Sequence, residues 1–144
     1  MVNLIESIYL EAFVHATESR SKVLKAILTF IPEKLRSSLK ILEYKVKGHY
    51  GNPIMILRVH VKKNSEDVVR YIASMLSDDD KRALLVTLND RIGDENKLYL
   101  RFDKQYALLG KLKLSHSGSV IKVVISFKRN IELKEACKQL GLIL

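Results

Sequence analysis

The chain has 144 residues, 47% of them hydrophobic and 28% charged, with a formal net charge of +9 and a sequence pI near 9.7. That length suits one domain, residues 1–144, with a real core. No apolar run is long enough to span a bilayer, and no secretory leader with a cleavage site is visible. The single cysteine, Cys137, excludes an intramolecular disulfide; beside Ala136 and Leu140 it reads as a small buried thiol, with a reducing, cytoplasmic compartment as the expectation.

Residues 5–17 alternate, with Ile8, Leu10, Ala12, Val14 and Ala16 on one side and Ser7, Tyr9, Glu11, Phe13 and His15 on the other, the pattern of a strand with one apolar face. Thr17 or Ser19 then caps a helix whose apolar stripe is Val23, Leu24, Ile27, Leu28 and Ile31, and Pro32 stops or restarts it. Residues 41–47 and 54–62 form a hairpin around Gly48-His49-Tyr50-Gly51-Asn52-Pro53. Ser65 caps a helix carrying Val68, Val69, Ile72, Met75 and Leu76. Ser77 caps the next, whose first turn holds Asp78, Asp79 and Asp80, where carboxylates complement the helix dipole. Gly93 ends that region.

Three further strands are expected: Leu98–Phe102, a short Lys111–Leu114 segment, and Ile121–Lys128, the last two joined at Ser117-Gly118 as a hairpin. Asn130 caps a final helix through Leu140. Strands and hairpins interspersed with helices give an α+β fold, a mostly antiparallel sheet with helices packed on one face.

The charge is uneven. Residues 40–63 carry six Lys/Arg and one acid, residues 97–129 eight Lys/Arg and one acid, and residues 64–96 four bases against eight acids. The positive charge thus belongs to the strand segments. The open sheet face is expected to carry Tyr9, His15, Lys45, Lys47, Arg58, His60, Lys62, Tyr99, Arg101, Lys111, Lys113, Lys122 and Lys128, cations with interleaved rings that suit RNA. That assignment depends on register, because a one-residue slip exchanges the faces. Lysines also decorate any solvated sheet, above all in heat-adapted proteins.

The loop at 48–53 displays an imidazole and a phenol, His49 and Tyr50, beside Asn52 and between basic strands, which suits stacking on RNA bases. The alternative is a plain hairpin whose rings pack back on the sheet. In Arg101-Phe102-Asp103-Lys104-Gln105, Arg101 and Lys104 can meet phosphates, Gln105 a base edge, and Asp103 can position Arg101 or cap the following turn; the alternative is that Asp103 and Gln105 only satisfy backbone groups.

No catalytic constellation stands out. His15, His49, His60 and His116 lack metal-ligand spacing, and there is no phosphate-binding Gly-rich loop or dinucleotide fingerprint. No cofactor or metal is expected. Paired carboxylates stay open, because such pairs meet only in the fold.

Leu10-Glu11-Ala12-Phe13-Val14-His15-Ala16-Thr17, the 48–53 loop and Arg101–Gln105 together resemble, nearly end to end and in order, an archaeal family described as RNA-binding proteins or predicted exosome subunits. The resemblance implies a fold like the large-subunit ribosomal protein that contacts 5S rRNA, and a role near RNA processing or ribosome assembly. Its motifs fall here on His15, Thr17, Gly48, His49, Tyr50, Gly51, Asn52, Arg101, Asp103, Lys104 and Gln105. The expected partners are RNA, ribosomal or an exosome substrate, and exosome or ribosomal proteins, with no membrane. Two other readings stand beside a non-catalytic RNA-binding protein: a protein-interaction subunit of an RNA-processing complex, and a nuclease or other hydrolase.

Overall fold

The computed structural model describes residues 3–48, 50–116 and 118–144. The strands are β1 (Ile5–Val14), β2 (Ile41–Lys47), β3 (Pro53–Val61), β4 (Ile92–Gly93), β5 (Lys97–Asp103) and β6 (Val120–Phe127). The helices are α1 (Arg20–Leu28), α2 (Glu33–Arg36), α3 (Ser65–Met75), α4 (Asp78–Arg91), α5 (Lys104–Leu108) and α6 (Leu133–Leu140). Among the described residues the strands make one sheet in the order β2-β3-β1-β6-β5-β4, every neighbouring pair antiparallel. This is the α+β architecture expected.

The alternation in β1 has a clear cause. Ile8, Leu10, Ala12 and Val14 are buried under the helices, with Leu57 and Val59 of β3, Ile121, Val123 and Ile125 of β6, and Leu98, Leu100 and Phe102 of β5 beside them. Val23, Ala26 and Ile27 of α1 and Val68, Val69 and Ile72 of α3 close the same core, as do Ala136, Cys137 and Leu140 of α6. Phe30 meets Phe102 edge to face at 5.0 Å. Each large side chain sealed in this layer contributes about 1.5–3 kcal/mol. Cys137, a small side chain, is buried in the same layer, and burial pushes its thiol up to about 12.

Local chemistry sets the helix starts. Ser19 accepts from the Lys22 amide to cap α1, and Ser77 accepts from the Asp80 amide to cap α4. Asp80 does more than complement the dipole, since its carboxylate accepts from the Leu114 amide at 3.1 Å. Two expected caps move. Asn64, in the left-handed region at φ 64°, stands before α3, while Ser65 is the buried first residue of that helix. Glu132, not Asn130, caps α6 by accepting from the Glu135 amide; Asn130 adopts φ 63° in the turn ahead of it.

The expected hairpin of Lys111–Leu114 with Ile121–Lys128 does not form. β6 is already paired on both edges, with β1 and β5. Residues 111–114 instead lie beside the end of β5, touching it through the single bridge Phe102–Leu114. Of the turn expected at Ser117-Gly118, Ser117 lies outside the described residues and Gly118 has φ +85°. The short helix α5 was not foreseen; Asp103 caps it by accepting from the Tyr106 amide at 2.9 Å.

β2 is an edge strand that the helical layer does not reach. All its residues from Leu42 to Lys47 are exposed, and only Ile41 is half-buried. Lysines on such an edge discourage pairing with another chain.

Candidate nucleic-acid interface

Directly opposed residues of an antiparallel pair share a face, so the register builds the outer surface rung by rung. One rung runs Leu42, Arg58, Glu11, Lys122, Arg101 from β2 to β5. On one side of it lie Tyr44, Ile56 and Phe13; on the other, His60, Tyr9, Val124 and Tyr99. The helices leave this face open, and Phe13, Leu42, Tyr44, Val46 and Tyr99 are each about two-fifths exposed.

The side chains form a connected polar layer. Arg58 Nε donates to Glu11 Oε2 at 2.9 Å, and its guanidinium lies 4.7 Å from the centre of the Tyr44 ring. The Tyr9 hydroxyl donates to the same Glu11 oxygen at 2.5 Å. Burial first, then the hydrogen bond to Glu11 and its charge, raise the Tyr9 phenol well above its ordinary range, so it stays a donor at any physiological pH. Tyr9 meets His60 edge to face at 6.4 Å, and Lys122 Nζ lies 5.9 Å from the Tyr99 ring centre. Glu11 thus serves Arg58 and Tyr9. Among the described residues Arg101 and Lys122 make no ion pair, which leaves the rung with a positive excess. Cations held against half-exposed rings are the donor set for phosphates and base faces together.

The candidate residues do not all fall on this face. Arg58, His60 and Arg101 do. Lys45 and Lys47 do not: they oppose Met55 and Pro53 and share the helix-side face of the edge strand, both exposed there because no helix covers β2. Leu42, Tyr44 and Val46 take the places expected for them on the outer face. Lys62 is exposed just beyond the end of β3. Lys111 is exposed after α5, and Lys113 lies 4.7 Å over the Tyr106 ring beside the end of β5.

Lys104 is a plain correction. It is 3% exposed, and its ammonium donates to the Phe13 carbonyl at 2.7 Å and to both Glu18 carboxylate oxygens at 3.1 and 3.2 Å. Its three donors are consumed internally, so it is a strut and not a phosphate contact. Burial pushes the Glu18 carboxyl up, but the His15 amide and Lys104 outweigh that and hold it below its ordinary range. Gln105 is exposed and lines a cleft of about 300 Å³ with Thr17, Glu18 and Lys22.

The hairpin loop is tight. Gly48 N–H donates to the Asn52 carbonyl at 2.6 Å, and Gly51 N–H to the Gly48 carbonyl at 3.0 Å. Gly51 has φ +79°, which L residues adopt at a cost. At Gly48 space is short rather than the angles special: a Cβ there would come within 2.8 Å of Ile54 Cδ1, which would have to move, and 3.1 Å of the Asn52 carbonyl. Tyr50 is 86% exposed at the tip, so its ring does not pack back on the sheet. Asn52 is exposed beside it, and His49 lies outside the described residues.

The fold brings together the three segments that the sequence keeps apart. Lys104 ties Arg101–Gln105 to Phe13 and Glu18, while a depression of about 280 Å³ is shared by His15, Thr17, Gly48, Tyr50 and Asn52. A second cleft of about 460 Å³ opens on the outer face between Phe13, His15, Arg101, Ser119 and Lys122. Among the described residues no three His, Cys, Asp or Glu side chains gather as they would around a metal ion, and no helix is long and apolar enough to cross a membrane.

The sequence alternation in residues 41–47 did display Leu42, Tyr44 and Val46 as a set, but nothing local shows that the strand lies beyond the helices. Phe13 was visible as the aromatic on the polar side of β1. The cleft had no sequence signal, because its walls come from both halves of the chain.

Comparisons with known proteins agree with this architecture. A family model described as RNA binding matches residues 7–127. A protein of Methanocaldococcus jannaschii is 40% identical over 131 residues, covering 87% of this chain and 86% of its own length. A Pyrococcus abyssi protein named as RNA-binding is 35% identical over 135 residues, covering 90% and 86%. The crystal structure of a DUF54 protein from Archaeglobus fulgidus superimposes with a TM-score of 0.79 at 34% identity, over 94% of this chain and 99% of that one. By the family match along most of its length and by its identity to these archaeal relatives, the chain belongs to the archaeal RNA-binding family.

Proposed function

We propose that the protein binds RNA without catalysis, through the open face of its sheet. The observation that carries this reading is the rung Arg58, Glu11, Lys122, Arg101 flanked by Tyr44, Tyr9 and Tyr99. Cations supply affinity for phosphates, and the rings offer stacking surfaces. The name of the Pyrococcus abyssi relative and the description of the family support it. A place in RNA processing, with an exosome, or in ribosome assembly, in the cytoplasm, belongs to the same proposal and rests on the resemblance of the three motifs; crosslinking in the native cell, with sequencing of the bound RNA, tests it.

The direct test is RNA affinity as a function of salt for the wild type and for Arg58→Glu with Lys122→Glu. The wild-type affinity falls with a log–log slope of roughly −0.7 for each phosphate neutralised on a single strand. The double reversal lowers both the affinity and the steepness of that slope; it also lowers the melting temperature, because both new carboxylates oppose Glu11, so the affinities are compared well below the melting range of either protein. An affinity indifferent to salt and to both reversals refutes the proposal.

A second reading has its own observation. Leu42, Tyr44 and Val46 expose apolar surface along one edge, which suits a protein partner within an RNA-processing complex. Nuclease treatment of the native complex separates the two, since a protein-held assembly survives it.

A further inference from the structure

We propose that the cleft at the end of β1 holds one unstacked nucleotide of a single RNA strand, its base against Phe13 and its phosphate between Arg101 and Lys122. This rests on the RNA reading above and gives that reading a strand preference.

The cleft has the size and lining for such a unit. Its volume, about 460 Å³, falls within the range of roughly 300–1,000 Å³ usual for small-ligand sites. Phe13 lines the cleft, is 42% exposed and stands edge to face with His15 at 6.3 Å, so part of its ring surface is available to a base. The acid that lines it is already engaged: Glu11 holds Arg58 and the Tyr9 hydroxyl. Glu18, which lines the neighbouring cleft, holds Lys104 and the His15 amide. Arg101 and Lys122 are opposed neighbours on β5 and β6, and among the described residues neither is paired with a carboxylate. An anion arriving there meets two cations and displaces no carboxylate; Lys122 gives up only its contact with the Tyr99 ring.

The buried Lys104 makes the cleft rigid. By clamping the Phe13 carbonyl and Glu18 it fixes the chain that carries Phe13 and His15, so the ring is held in place before a base arrives. Preorganisation of this kind reduces the ordering cost of binding. A base in a stacked duplex cannot enter such a cleft; a base in a single strand or a loop can.

The test uses the full chain, labelled with 15N and titrated at low salt with adenosine 5′-monophosphate and, separately, with inorganic phosphate. Shifts are expected at the amides of residues 13–15, 101 and 119–122. Phe13→Ala should weaken the nucleotide about fivefold or more, the lower end of one lost base stack, while Phe13→Tyr leaves it unchanged. Nucleotide shifts confined to residues 42–46 and 54–58 overturn the proposal, as does inorganic phosphate binding as tightly as the nucleotide. A second arm compares a short single-stranded RNA with its duplex, and the single strand should bind more tightly in a way that Phe13→Ala abolishes. Equal binding of both, sensitive to Arg58→Glu and indifferent to Phe13→Ala, removes the nucleotide cleft and leaves the RNA reading standing. Failure of both RNAs to bind at low salt removes the RNA reading itself.

Discussion

β1 and β2 are both alternating strands of one sheet, yet the alternation means different things in them. In β1 one side is sealed beneath α1 and α3, so Ile8, Leu10 and Ala12 have a single place to go, and Tyr9, Glu11 and Phe13 are forced outward. In β2 both sides meet solvent, and Leu42, Tyr44 and Val46 are exposed along with Lys45 and Lys47. Hydrophobic alternation names an inner face only where something covers one side. Where nothing does, the neighbouring strand decides. β3 presents Leu57 and Val59 to the core, and the pairing of Lys45 with Met55 then sends the β2 lysines the same way, onto the helix side.

The sharpest break between the two strands is in stability. Leu10→Ala should cost about 2–5 kcal/mol, through lost transfer energy and the cavity left in the core. Val46→Ala should stay within about 0.5 kcal/mol. Urea melts of the two variants measure both. A large loss for Val46→Ala would show that the outer face of β2 is covered in solution, which favours the protein-partner reading.

The next contrast is in binding, within β2 itself. Tyr44→Ala should cost on the order of 1–3 kcal/mol of RNA affinity, since the ring lies on the outer face against Arg58. Lys45→Ala, on the opposite side of the same strand, should cost less. Filter binding at one fixed salt concentration ranks them, and the reverse order would place the RNA across the hairpin's helix-side face.

The loop joining β2 to β3 gives a smaller effect. Gly51→Ala meets no neighbour within 4 Å, so its cost is conformational, roughly 1–2 kcal/mol for φ +79°. Thermal melts check it. Destabilisation without loss of RNA affinity would mark the loop as a brace for the hairpin.

The smallest effect is a pH dependence at the end of β1. Glu18 has its carboxyl lowered in the fold, so it contributes stability above its ordinary value of 4.5, and that contribution is lost as the pH falls below it. Melting temperatures of the wild type and Glu18→Gln should converge on acidification and separate toward neutral pH, with the wild type the more stable. Parallel curves would mean that Lys104 gains nothing from Glu18.

Much of the fold was legible because long periodic segments were anchored by burial. β1, β3, β5, β6 and the four longer helices lie within a few residues of their sequence-based bounds, and Ser19 and Ser77 cap as their positions implied. The segment 111–114 misled because Leu112 and Leu114 do alternate with lysines and are buried, yet β6 had no free edge to pair with them. At the site, Arg58, His60 and Arg101 were readable from their place in covered strands. Lys104 was not: a lysine in a polar run reads as solvent-exposed, and only the fold reveals Glu18 and the Phe13 carbonyl waiting for it.

The strand order has a kinetic side. β1, the first strand in the sequence, lies in the interior of the sheet between β3 and β6, and its contacts with β6 join residues from opposite ends of the sequence, such as Ile8 and Ile125. During synthesis β1 emerges before the other named strands and must wait for β6, the last of them, before its second edge is satisfied. Until then its long hydrogen-bonding edge and apolar face are open to wrong pairing. Such non-local topology slows folding, because the loop-closure entropy is lost before the contact repays it. The β2–β3 hairpin, by contrast, can close locally within microseconds and offer β1 a first partner through β3. The projecting ribbon that leaves Tyr44 exposed in the finished protein is therefore also the piece of sheet best placed to form first and shelter the nascent strand.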